Sequence, residues 1–214
     1  PRSTLFPYTT LFRSKLGNLR FIGHLDLQRL FERALRRTNL PLRHTKGFSP
    51  HMRINLASAL PLGFIGDAEQ MDFWLDQEVS LDEISNRLNK ALPAELILKN
   101  LQVIDNQLPS LQASLLSSEF EIVLPPEFYA VKLQDQMNAL LEQDSLPVQR
   151  RKKTVDLTNL ILTWQLDRQP AKTVLVISMQ ATPLDNGRPD ALLVLLGVDP
   201  ADCVITRTKL VFSE

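Results

Sequence analysis

Apolar residues recur with helical spacing early in the chain. Leu27, Leu30, Phe31 and Ala34 stand at i, i+3, i+4 and i+7, which places them on one face of a helix from about His24 to Thr38. Pro41 closes that helix, and an irregular stretch leads to a strand-like segment at Arg53 to Ser58. From Gln70 to Leu75 the period changes to two. Met71, Phe73 and Leu75 alternate with Gln70, Asp72 and Trp74, the pattern of a half-buried strand. Ser80 with Glu83 forms a capping box that opens a second helix, whose buried stripe is Ile84, Leu88 and Leu92. Pro93 ends it, and Leu96 to Ile104 reads as a further strand. With a first strand supplied by the region around Lys15, residues 15–105 read strand, helix, strand, strand, helix, strand.

Residues 106–118 are polar and proline-containing and read as a linker. The pattern returns in residues 119–214. Phe120, Ile122 and Leu124 alternate with Glu119 and Glu121, and Leu133, Met137, Leu140 and Leu141 mark a helix after Pro125-Pro126. Strands are expected near Val155 to Leu166, Val174 to Gln180 and Val204 to Phe212. A short helix before the last is bracketed by Pro189 in its first turn and Gly197 just past its end. The expected class is α+β, two ferredoxin-like (βαββαβ) halves in tandem.

A length of 214 residues, 44% hydrophobic and 22% charged, fits a soluble globular chain of one or two domains. No apolar run approaches the roughly 18 residues of a membrane span. Cys203 alone leaves no internal disulfide and no cysteine-based metal or cluster site; it reads as a small core residue of a strand, in a reducing, cytoplasmic setting. Residues 1–14 stand apart. Ser3 to Ser14 resembles the in-frame translation of a sequencing-adapter oligonucleotide, so the natural sequence is expected to begin near Lys15, and the segment is set aside from functional reasoning. The alternative is an aromatic-rich N-terminal strand.

The distribution of charge adds a candidate chemistry. Between Lys15 and Arg53 nine Lys or Arg residues face only Asp26 and Glu32, a local balance of +7 in a chain of zero net charge. Arg29, Arg33 and Arg36 follow helical spacing and Arg37 adds a fourth guanidinium, whose planar fork suits phosphate. In the loop from His44 to Arg53, Lys46, Phe48 and Arg53 either clasp a nucleic-acid backbone and stack a base, or form a structured connection in which Phe48 plugs the core. The candidate RNA-binding set is therefore Arg29, Arg33, Arg36, Arg37, Lys46, Phe48 and Arg53. The run Gln149 to Lys153 reads as an exposed hairpin end or an extension of the same surface. His24 and Asp26 are a weak catalytic pair; two apart on a helix they do not face each other, and Asp26 also suits the helix dipole. The loop histidines lack an acidic companion, so no metal site is expected.

The block Lys15 to Leu27, with Glu32 to Arg37, Lys46-Gly47-Phe48-Ser49-Pro50 and Ala59-Leu60-Pro61-Leu62-Gly63, resembles the radical-SAM-linked family of bacterial proteins. Asp156-Leu157 and Gly187-Arg188-Pro189-Asp190 resemble its second half more loosely. That resemblance implies a bacterial cytoplasmic domain of unknown function, alone or behind a radical SAM domain, and no reaction of its own. Radical SAM chemistry needs three cysteines to hold a four-iron four-sulfur cluster that binds S-adenosylmethionine. With one cysteine, this chain is expected to hold no cofactor, and those groups belong to a partner domain in cis, upstream of Lys15, or in trans. The leading expectation is a non-catalytic module that presents structured RNA, such as transfer or ribosomal RNA, to such a partner. Its competitors are a metal-independent RNA-processing enzyme using His24 and a protein-interaction domain that docks the radical SAM partner.

Overall fold

The computed structural model describes residues 5–14, 17–126, 128, 130–150, 153–169 and 172–213. The chain divides into two compact units, Pro1–Ser114 and Leu115–Glu214, and each is α+β. The first contains β1 (Phe6–Ser14), α1 (His24–Arg37), β2 (Ile54–Leu56), β3 (Ile65–Leu75), α2 (Leu81–Ala91), β4 (Ile97–Val103) and a single-turn α3 (Leu111–Ser114). Its strands lie in the order β4-β1-β3-β2, each antiparallel to its neighbour.

The first strand is not where the sequence pattern puts it. It lies at Phe6–Ser14, within the adapter-like segment, while Gly17–Phe21 forms a 3-10 turn and Lys15 falls outside the described residues. The apolar run Leu19 to Ile22 is too short to cross the sheet, whereas Phe6–Ser14 reaches both neighbours. Tyr8 pairs with Phe73 on one side and Val103 on the other. Tyr8 and Phe12 are each 1% exposed. Tyr8 stacks on Phe73 at 5.5 Å and Phe12 meets Phe31 edge-on at 4.7 Å.

Strand alternation gives this sheet two different faces. Met71, Phe73 and Leu75 join Leu27, Phe31 and Leu35 of α1 and Ile84 and Leu88 of α2 in one core. Asp72 and Trp74, between them in sequence, belong to the opposite face. Gly23 caps α1 in an extended conformation with no side-chain bond, while Asp26 in the first turn and Arg36 and Arg37 in the last complement the helix dipole. Ser80 caps α2 by accepting from the Glu83 N–H at 3.3 Å.

The expected linker is partly regular structure. Leu111–Ser114 is α3, and β5 begins at Leu115 because Leu115, Ser117, Ser118 and Phe120 are all buried and a polar composition does not forbid pairing. The second unit contains β5 (Leu115–Val123), α4 (Ala130–Leu141), β6 (Pro147–Arg150), β7 (Lys153–Asp156), β8 (Ile161–Gln169), β9 (Lys172–Gln180), α5 (Pro189–Leu195) and β10 (Val204–Phe212). Its main strands lie in the order β10-β5-β9-β8, all antiparallel. The strand expected at Val155 to Leu166 is β7, a 3-10 turn at Thr158–Leu160 and β8. The turn is fixed by Asp156, whose carboxylate accepts from Ser145 Oγ, the Leu146 N–H, the Thr158 N–H and Thr158 Oγ1 at 2.7–3.0 Å. These donors hold its pKa far below the usual carboxylate range.

Arg150 and Lys153 close the β6–β7 hairpin, and Arg151 and Lys152 lie outside the described residues. At the start of α5, Arg188 forms a two-pronged ion pair with Asp190, so the motif builds the turn. Gly187 is required there, since a Cβ would sit 2.8 Å from Met179 Cβ. Gly197 ends the helix region at φ 73°. Cys203 sits just before β10 rather than within it and is half-buried. Burial, with Asp202 and Asp199 beside it, pushes its thiol up to about 11, so it stays protonated. Among the described residues no helix is long and apolar enough to cross a membrane.

Candidate nucleic-acid interface

Helix α1 presents its polar flank beside the C-terminal end of α2. Two adjoining depressions of about 400 and 480 Å³ share Arg37 and Pro93. Arg29, Arg33 and Arg37, each one helical turn after the last, line the groove with Asp26, and Lys90 joins from α2. Arg29, Arg33, Arg37 and Lys90 are exposed. Arg37 Nη2 donates to the Ala91 carbonyl at 2.7 Å, which fixes the guanidinium while leaving it further donors. Arg87 serves the scaffold: Nη1 donates to the Thr38 and Asn39 carbonyls at 3.3 and 3.2 Å, and Nη2 pairs with Glu83.

The structure sorts the candidate residues into separate places. Arg36 lines neither depression and lies 3.9 Å from Glu32. Asp26 is exposed and pairs with Arg29 at 3.2 Å, an exposed ion pair of small worth. His24 is the first residue of α1 and is half-buried, and Asp26 two residues on is engaged by Arg29. Lys46 and Phe48 occupy the exposed tip of a pinched loop, held by Thr45 N–H to His51 O at 2.7 Å and Arg53 N–H to Arg43 O at 2.8 Å. Phe48 is fully exposed, which removes the alternative of a core plug. Arg53 leaves the groove entirely: its guanidinium lies 4.2 Å from the ring centroid of Trp74, on the sheet face opposite α1. Lys90 escaped sequence analysis because it lies on α2, far along the chain from α1, and nothing local marks their meeting.

A second unforeseen feature lies on that opposite face. A cavity of about 280 Å³ is lined by Arg53, Asn55, Asp72, Trp74 and the segment after β4. Asp72 is 3% exposed, and its Oδ1 has no hydrogen-bond partner. Burial raises its pKa from 3.8 to about 6; the Thr9 hydroxyl across the strand offsets this slightly, although it falls short of a full hydrogen bond. In the alternating pattern Asp72 reads as a solvent position, but Thr9 and Asn55 flank it on the neighbouring strands and residues from 104 to 110 line the cavity beside it.

The sign of its effect on stability follows. The folded state holds the Asp72 proton more tightly than the unfolded chain, so stability falls as pH rises from about 4 to 6. Asp72→Asn should therefore raise stability above pH 6 by about 1 to 2 kcal/mol, after discount for solvent in the cavity, and leave it unchanged below pH 4. Urea unfolding from pH 4 to 8 checks this.

Among the described residues no cluster of three His, Cys, Asp or Glu could hold a metal ion. No curated protein matches the chain. Among solved structures it is similar to one described as a "putative glycine cleavage system transcriptional repressor", at 9% identity and TM-score 0.26, covering 99% of this chain and 100% of that one. It is also similar to a "putative dyp-type peroxidase protein" from Shewanella oneidensis, at 10% identity and TM-score 0.24, covering 92% and 84%. A family model matches residues 10–189, and the chain belongs to that family, described as an uncharacterized protein conserved in bacteria (DUF2344).

Proposed function

We infer that this protein is an RNA-binding module that holds a structured RNA, of the transfer or ribosomal kind, for a radical SAM partner domain. The observation that carries the reading is the gathering of Arg29, Arg33, Arg37 and Lys90 along two adjoining depressions that share Arg37, with Asp26 as an acid on the lining. Guanidinium forks at successive turns match the spacing of a phosphate backbone better than they match solubility needs. The cluster and S-adenosylmethionine would reside on the partner, since Cys203 is the single cysteine here. The strand order of each unit, a split βαβ arrangement with antiparallel neighbours, supports reading both as ferredoxin-like, the second with the β6–β7 hairpin inserted.

Fluorescence anisotropy with a labelled transfer RNA across a salt series tests the reading. Binding should weaken by about 0.7 to 0.9 log units per log unit of salt for each phosphate engaged. Salt-insensitive or absent binding would remove the reading. Phe48 at the loop tip gives a second expectation: Phe48→Ala should change stability by less than about 0.5 kcal/mol. The same variant should weaken binding to a single-stranded loop by about 1 to 3 kcal/mol. A thermal melt beside the anisotropy titration separates the two effects.

A further inference from the structure

The cavity around Asp72 is chemically unlike the groove on α1. Its floor is a nearly closed carboxylate whose Oδ1 has no partner. Asn55 stands directly opposite Asp72 across the β2–β3 pair. One wall is rigid: Arg53 covers the Trp74 ring at 4.2 Å, Trp74 Nε1 donates to Asn106 Oδ1 at 3.0 Å, and Asn106 Nδ2 donates to the Leu5 carbonyl at 3.3 Å. Asp105, at the rim, is exposed and accepts from the Gln107 N–H at 2.9 Å. A buried acceptor that lowers stability and has no partner is a feature that folding alone does not explain.

The occupant follows from elimination on these contacts. A free cation would meet the Arg53 guanidinium already stacked on Trp74, and a free anion would meet Asp72. A neutral planar ring with adjacent N–H donors meets neither difficulty, stacks on a flat Arg–Trp wall, and gives the unpartnered carboxylate oxygen its hydrogen bonds. At about 280 Å³ the space lies at the small end for ligand cavities, the scale of a single base rather than a whole cofactor.

We propose that this cavity receives one guanine base, extruded from the bound RNA, with Asp72 accepting from the base's ring N–H and exocyclic amino group. This rests on the RNA-binding reading and specifies it: the groove supplies phosphate affinity, and the cavity on the other sheet face supplies base identity. Adenine and cytosine present an acceptor where guanine presents its ring N–H, and an ionised carboxylate cannot donate to it.

The test uses the whole chain at pH 8, where Asp72 is ionised. The probes are short oligouridine strands carrying one central guanosine, inosine or adenosine, titrated by fluorescence anisotropy. The guanosine strand should bind roughly tenfold or more tightly than the inosine strand, which lacks the exocyclic amino group, and than the adenosine strand. Asp72→Asn should abolish that preference while leaving the salt slope intact and the fold at least as stable. Equal binding of the guanosine and inosine strands, or an unchanged preference in Asp72→Asn, overturns the proposal. Displacement of the guanosine strand by a free amino-acid zwitterion also overturns it, since such a ligand satisfies Arg53 and Asp72 by charge. In the unsubstituted chain, absence of any guanosine preference beside a persisting salt slope sinks the guanine site alone. Loss of both sinks the RNA reading.

Discussion

Alanine at Arg29, Arg33 and Arg37 together should flatten the salt dependence of RNA binding by about 2 to 3 log units per log unit of salt. Affinity at 0.1 M salt should fall roughly a hundred- to a thousandfold. The three side chains rise from one flank of α1 into the same groove, so their contacts to a single backbone add. Alanine is the best helix former, which makes the substitution mild for α1 itself. The internal contacts removed are the Arg37 bond to the Ala91 carbonyl, worth about 1 kcal/mol, and the exposed Arg29–Asp26 pair, which is worth little. Circular dichroism should therefore show an intact fold beside a large loss of binding. A loss of helix signal together with binding would mean that the stripe holds the fold instead.

Removing residues 1–14 should abolish cooperative folding of the first unit. β1 lies between β3 and β4 and pairs with both. Without it neither neighbour keeps its ladder, and the core loses Tyr8 and Phe12 together with their ring contacts to Phe73 and Phe31. Each large buried aromatic lost costs about 3 to 5 kcal/mol, so the pair alone reaches the roughly 5 to 15 kcal/mol that holds a whole domain. Urea unfolding followed by far-ultraviolet circular dichroism should show the first unit's transition missing. A truncated chain with that transition intact would contradict the placement of Phe6–Ser14 at the centre of the sheet.

Much of the fold was legible because its signals are local. The period of Leu27, Phe31 and Ala34, the Ser80–Glu83 cap and the bounds Val204 to Phe212 all reappear in the structure. The first strand lies within Ser3 to Ser14, where the adapter-like character hides a signal that is local all the same, the Tyr8–Thr10–Phe12 alternation. The start of β5 is not legible because Ser117 and Ser118 look like loop residues and are buried by pairing with Gln180 and Met179 on one side and Val211 and Leu210 on the other.

The candidate site was legible as composition and not as geometry. The sequence shows a basic block, but a side chain's neighbours depend on tertiary packing. Arg36 turns to Glu32, Arg53 crosses to the other sheet face, and Lys90 arrives from another helix. Asp72 shows the same limit from the other side: its place in an alternating strand is local, and its enclosure is not.

Arg33 and Arg36 carry equal charge on the same helix, both are exposed, and only Arg33 lines the groove. The most direct test of an organised phosphate-binding surface is the salt slope of transfer-RNA binding for Arg33→Ala beside Arg36→Ala. The groove predicts a slope shallower by about 0.7 to 0.9 for Arg33→Ala and a change near zero for Arg36→Ala. Equal changes for the two would show that net charge alone governs binding and would contradict a groove built from Arg29, Arg33 and Arg37.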